Sequence, residues 1–309
     1  MNQTNQNLPD QEVKPLKKFD FAVVQRPLTG LLRNMDSDLQ WRFDAAQAAN
    51  NLAEVRQLTL LLIMLRFANN SYDAICFLLS DLDQHPRRRP SFVVVTPPIN
   101  RQMMDLWFTL VYMMDEFGPR SLAYEQCAWR ELGEEVSKVR QRYGADPEWQ
   151  RWYEAMQKLS DKMETQIPIT PAQKANPSRE IHYWDTPYNL AQKNTKSQNF
   201  LRLLHDLVYH ETSSEAHMKP AGLMSSATIV IADVIPEGAR KELEDRIIHQ
   251  YKFRHLCRTV MSLLGIASEI EMHCKLNNGE QLSKIWKLLA KHSPETKDVY
   301  EARYKLMLG

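Results

Sequence analysis

Apolar residues recur at helical spacing along most of this chain. Leu52, Val55, Leu58, Leu62 and Leu65 repeat every three or four positions, which predicts helix through Ala45–Leu82 after a helical pattern that starts near Leu31. Pro86, Pro90, Pro97 and Pro98 then forbid a continuous helix and leave Phe92–Val95 as one short extended candidate. Helical pattern returns over about Asn100–Glu116 and Ser121–Tyr143. Asp146-Pro147-Glu148 combines an N-cap, a first-turn proline and an early acidic residue, predicting a further helix to about Glu164. Residues 165–187 hold Pro168, Pro171, Pro177 and Pro187 and read as a long irregular connection. Helix is predicted again over Lys196–Glu211. Ala221–Ile235 reads as helix or strand, because Thr228–Ile231 are all β-branched. A long helix over Ala239–Lys275 follows, stopped by Asn277-Asn278-Gly279, and two short helices close the chain. The expected fold is all-α: a multi-helix bundle with a proline-rich arm and a mobile N-terminal tail. Residues 1–27 form the tail and lead-in, and residues 28–309 one helical domain.

Composition narrows the functions available. The 309 residues carry 39 Lys+Arg against 38 Asp+Glu, so net charge points to no partner. The nine glycines are never clustered, whereas a phosphate-cradling loop needs several close together, and this excludes the usual nucleotide-binding loops. The most apolar stretch, Leu58–Leu65, is too short to span a bilayer, and the polar N-terminus has no apolar signal-like region. Cys76, Cys127, Cys257 and Cys274 are scattered without a disulfide-scaffold pattern, so reduced thiols and a cytoplasmic protein are expected. No cofactor is expected.

Two helices carry polar stripes opposite strongly apolar faces. Around Met103 the apolar residues cover more than half the circumference, and Arg101 and Asp105 share the remaining arc at a spacing of four. Phe200, Leu203, Leu204 and Leu207 form the core face of the Lys196–Glu211 helix. Arg202, His205, Asp206 and Tyr209 lie opposite, and Ser213 and His217 extend that column if the helix continues. A solvated face explains either stripe as well as a site does.

Tyr209-x3-Ser213-x3-His217 resembles a helix motif of a bacterial domain family of unknown function, Tyr-x2-Leu-Ser-x2-Val-His. That family also has an Arg-x3-Glu helix, matched by Arg101-x3-Asp105, and a Tyr-x-Ala-Ile segment, matched by Tyr72-Asp73-Ala74-Ile75. Thr212, Ala216 and Asp105 replace the family's Leu, Val and Glu. The family is grouped with HEPN-like helical proteins and abortive-infection genes, which implies phage defence. The HEPN ribonuclease motif, Arg-x4–6-His, is missing, since no histidine has an arginine five to seven positions before it.

Metal chemistry is not expected. Ser214 stands where His210-Glu211 would need a second histidine, and on a continuous helix the pairs His255/Cys257 and His273/Cys274 lie about 27 Å apart. Arg87, Arg88 and Arg89 make a basic loop tip that reads first as a solvated loop, with contact to RNA or a nucleotide phosphate as the alternative. Trp149, Trp152 and Tyr153 read as packing residues. Two functions stay open. One is a site of His217, Arg101, Asp105, Tyr209 and Ser213 acting on or binding phosphates, with His217 handling a proton and Arg101 the charge. The other is a non-enzymatic interaction module, with a protein partner or a second copy, in which the same residues are structural.

Overall fold

The computed structural model describes residues 20–79, 94–217 and 249–308, with isolated positions 220, 227, 236 and 238 between the last two. Every regular element among them is helical, and together they form a multi-helix bundle. The expected tail, the Arg87–Arg89 tip and the Thr228–Ile231 segment lie outside the described residues.

Helices α1 (Ala22–Ala48) and α2 (Leu52–Leu79) form an antiparallel pair. The helix begins before the expected lead-in ends, with Pro27 inside it. The break between α1 and α2 comes at Asn50, whose φ of 54° is left-handed. The Asn50 N–H bonds the Gln47 carbonyl and the Asn51 N–H the Ala46 carbonyl, a Schellman stop that the Asn-Asn pair supplies in place of glycine. Helix α3 (Thr96–Met114) starts four residues earlier than expected, because Pro97 and Pro98 sit in its first turn, where no N–H is needed. Val94 and Val95 form a tight helical turn leading into it rather than a strand.

Helices α4 (Phe117–Tyr143) and α5 (Pro147–Gln166) make a hairpin. The connection after it is more ordered than its prolines suggest. Pro171, Pro177 and Pro187 each open a short helix: α6 (Pro171–Ala175), α7 (Pro177–Glu180) and α8 (Pro187–Gln192). Thr170 and Gln173 close a reciprocal capping box at α6. Ile167 and Ile181 pack with Cys127 and Trp129 in a small second core.

α9 (Gln198–Leu204) runs through a wider π-turn, His205–Tyr209, into α10 (His210–Ala216) without a break. The chain closes with α11 (His249–Cys274), α12 (Gly279–Ala290), α13 (Pro294–Val299), a second π-turn at Tyr300–Tyr304, and α14 (Lys305–Met307).

α3 and α11 lie side by side and parallel, and the other helices pack around them. Asn100 meets Thr259, Met104 meets Ser262, and Trp107 meets Gly265 in matching order along the two. Trp107, fully buried, lies flat against Gly265, where a methyl group would collide with its indole ring. Residues Cys257 through Glu271 are buried without exception, so this stretch of α11 has no solvent face. Its polar side chains must therefore be satisfied inside the protein.

Two outcomes follow from this packing. Gly265→Ala should overpack the α3–α11 contact and cost about 1–3 kcal/mol, read as a lower urea midpoint with an unchanged m-value; unchanged stability would contradict the close approach. At the α2–α4 seam, burial pushes the Glu125 carboxyl up to about 7 although Arg56 lies 2.7 Å away and opposes the shift. A raised carboxyl stabilises the fold fully below its unfolded value of 4.5, and that contribution is lost as pH rises through about 7. Carbon-detected NMR should find the Glu125 carboxyl titrating near 7; a midpoint below 5 would refute this.

Candidate functional site

The α9–α10 segment runs antiparallel to α3. Ser197 bonds Asp115 at the far end of α3, while Tyr209 reaches Phe108 and Arg101 toward its start. The π-turn matters here, because one extra residue in the turn rotates everything after it by about 100°. Tyr209, the last residue of that turn, is buried, with its ring 5.2 Å from that of Phe108.

Arg101 and Asp105 pair as their spacing predicts: the Arg101 Nε donates to the Asp105 carboxylate at 2.9 Å. The guanidinium also lies over the Tyr209 ring, 3.8 Å from its centroid, a cation–π contact. Its Nη1 is buried and has no hydrogen-bond partner among the described residues. Burial raises the Asp105 carboxyl above its ordinary value, and the charges of Arg101 and His217 oppose that shift. His217 thus lies within electrostatic reach of Asp105. It ends α10, exposed, with its backbone N–H donating to the Ser213 carbonyl at 3.1 Å. Ser213 is half-buried, one turn from both Tyr209 and His217. The structure therefore joins Arg101, Asp105 and Tyr209 by direct contact and brings His217 close through its charge. His205 also belongs to the neighbourhood: its ring lies 5.5 Å from that of Tyr209 and its Nδ1 3.0 Å from Asp206.

The other side of α10 carries a second polar row that the sequence reading passed over. Glu211 and Glu215 face Arg254 and Arg258 of α11, and Glu295 of α13 completes the group. Arg258, 1% exposed, binds Glu211 at 2.5 Å and Glu295 at 3.1 Å. Arg254 pairs with Glu211 as well. Glu215, 3% exposed, stands 3.9 Å from Arg258, and burial raises its carboxyl against the pull of that arginine. Burial and Arg258 also lower the Arg254 guanidinium to about 10. His255, one turn from Arg258 and fully buried, is held well below its ordinary value by burial and by both arginines, so its imidazole is neutral at pH 7. The signal was present as two i,i+4 pairs, Glu211/Glu215 and Arg254/Arg258. Only the fold shows that the two pairs face each other.

α10 thus sits between the parallel helices α3 and α11, with one polar row toward each. The α11 row is the more buried. Among the described residues each row leaves one arginine Nη1 without a hydrogen bond, that of Arg258 toward α11 and that of Arg101 toward α3, but Arg101 is 16% exposed against 1% for Arg258, and the α3 row ends in an exposed histidine. His255/Cys257 and His273/Cys274 do lie on one continuous helix, at its two ends. Among the described residues, no three His, Cys, Asp or Glu side chains gather as a metal site would require.

Removing one member of the buried row should be far more damaging than cutting the α3 row. Arg258→Ala takes the nearer cation from buried Glu215, leaving it Arg254 at 4.0 Å, and removes the arginine that Glu295 binds; it should cost about 3–5 kcal/mol. Arg101→Ala, at a half-exposed i,i+4 pair, should cost about 1 kcal/mol or less from the ion pair itself. Equal losses in chemical denaturation would contradict this ordering. Compared with known proteins, the chain matches no family model, no curated protein and no solved structure.

Proposed function

We propose that the seam between α3 and α10 binds a phosphate group carried by a nucleotide or an RNA chain. One observation carries this reading: Asp105 and the Tyr209 ring hold the Arg101 guanidinium in place beside the row that ends in exposed His217, yet its Nη1 is buried without a hydrogen-bond partner among the described residues. An unsatisfied donor is costly, and a charged oxygen is the acceptor that best relieves it. In a phosphodiester reaction His217 carries the proton and Arg101 the developing charge. Asp105 and Tyr209 orient Arg101, and Ser213 offers a hydroxyl one turn from both Tyr209 and His217. Arg87, Arg88 and Arg89 supply further phosphate contacts for an RNA. Four free cysteines fit a reducing compartment, the cytoplasm, and the family resemblance adds phage defence as the setting. No described helix is long and apolar enough to cross a membrane.

The non-enzymatic reading is favoured by a different observation, that Asp105 already neutralises Arg101 through a direct ion pair. The two are separable by calorimetry with ATP and by an RNA cleavage assay. On the phosphate reading, Arg101→Gln weakens ATP binding by about tenfold or more, the loss of one charge-assisted hydrogen bond. His217→Ala keeps binding and loses cleavage. Unchanged binding in Arg101→Gln, or none in the unaltered protein, leaves the interaction module as the function.

A further inference from the structure

The hairpin of α4 and α5 extends away from the paired central helices. α5 packs on α4, and of its twenty residues only Ser160 is buried. Val136 and Val139 on α4 are buried and close the hairpin. The aromatic residues at the tip do more than this closure requires. Tyr143 and Trp149 stack with centroids 4.7 Å apart and planes 15° from parallel, and Trp152 meets Trp149 edge-on at 6.1 Å. Both stacked rings keep substantial solvent contact, 37% for Tyr143 and 39% for Trp149. They line an open groove of about 730 Å³ together with Lys138 and Arg142. Those two cations stand one helical turn apart on α4, and Glu135 is the one acidic residue lining the groove. The nearby Asp146 carboxylate is engaged in capping α5 through the Glu148 N–H at 2.9 Å.

We propose that this tip is a docking surface for single-stranded nucleic acid, with unstacked bases on the Tyr143–Trp149 platform and backbone phosphates at Lys138 and Arg142. Every base has a π-face, so stacking on exposed rings tolerates any sequence, and neighbouring cations follow the backbone. The excess of cations over carboxylates in the groove favours a polyanion over an acidic or purely apolar peptide. This proposal stands independently of the Arg101 seam, which uses other helices.

The test is fluorescence anisotropy of the full chain with a labelled oligouridylate of about a dozen nucleotides, spanning a typical site, at roughly 50 to 200 mM salt. Saturable binding is expected, weakened at least about fivefold by Trp149→Ala and largely kept by Trp149→Phe. The double variant Lys138→Gln/Arg142→Gln, which leaves the rings in place, should flatten the log–log salt dependence by about 1.4, the value for two phosphates on a single strand. Trp149→Ala should leave ATP binding at the α3–α10 seam unchanged, which separates the tip from that seam. The proposal is overturned by absence of binding, by equal affinity in Trp149→Ala, by an unaltered salt slope in the double variant, or by a duplex that competes as well as the single strand.

Discussion

Glu269 has no solvent exposure, and the structure around it exists to satisfy its charge. Arg303 binds it in a two-pronged contact at 2.6 and 2.9 Å, and the Tyr304 hydroxyl donates to it at 2.7 Å. Tyr304 in turn accepts from the Trp107 indole at 2.9 Å, and Arg303 reaches Ser197, which bonds Asp115 at the end of α3. Burial works against the charged guanidinium of Arg303, but Glu269 overrides it and raises that group further. Burial followed by Glu269 drives the Tyr304 phenol well above its ordinary value. A lone buried carboxylate would be prohibitive, so one charge recruits side chains from α3, α9 and the closing π-turn. Other buried polar side chains of α11 find partners in the same way. Ser268 accepts from Trp286, Thr259 donates to Asn100, and Arg258 takes two carboxylates.

The two π-turns are the local means by which distant segments meet these demands. Each places a tyrosine against a group on a central helix: Tyr209 beneath Arg101, and Tyr304 against Glu269. A regular helix would present a different face from that point on, and the partner would be lost. The wider turn is tolerated because a cation–π contact in one case and a buried hydrogen-bond chain in the other offset it.

α10 shows how one short helix serves two neighbours. Its Glu211–Glu215 row belongs to the internal electrostatics of α11, while the Tyr209–Ser213–His217 row lies toward α3 and ends at the surface. Arg258 is closed in by Glu211, Glu215 and Glu295 and is out of reach of a ligand. Arg101 keeps 16% of its side-chain surface and lies on the row that reaches solvent, and for that reason the functional reading rests there rather than on the stronger cluster beside it.

The helical periodicity, the proline-led starts and the absence of glycine clusters were legible in the chain because they are local properties, set by side-chain spacing and backbone sterics. The Arg101–Asp105 pair was legible for the same reason, as a spacing of four on one helix. The Schellman stop at Asn50 and the prolines that open α3, α6, α7 and α8 are also local, but the same residues serve in turns and loops, so their use depended on context. What only the tertiary structure decided was which stripes are buried and which meet. Arg258 and Glu269 look like ordinary surface charges in the sequence, and the exposed aromatic tip of α4–α5 looks like ordinary core. Spacing along a helix establishes which residues share a face. Whether that face meets water, a counter-charge or an indole ring depends on contacts between segments far apart in the chain, as Trp107 and Tyr304 are by 197 residues and Pro27 and Gln281 by 254.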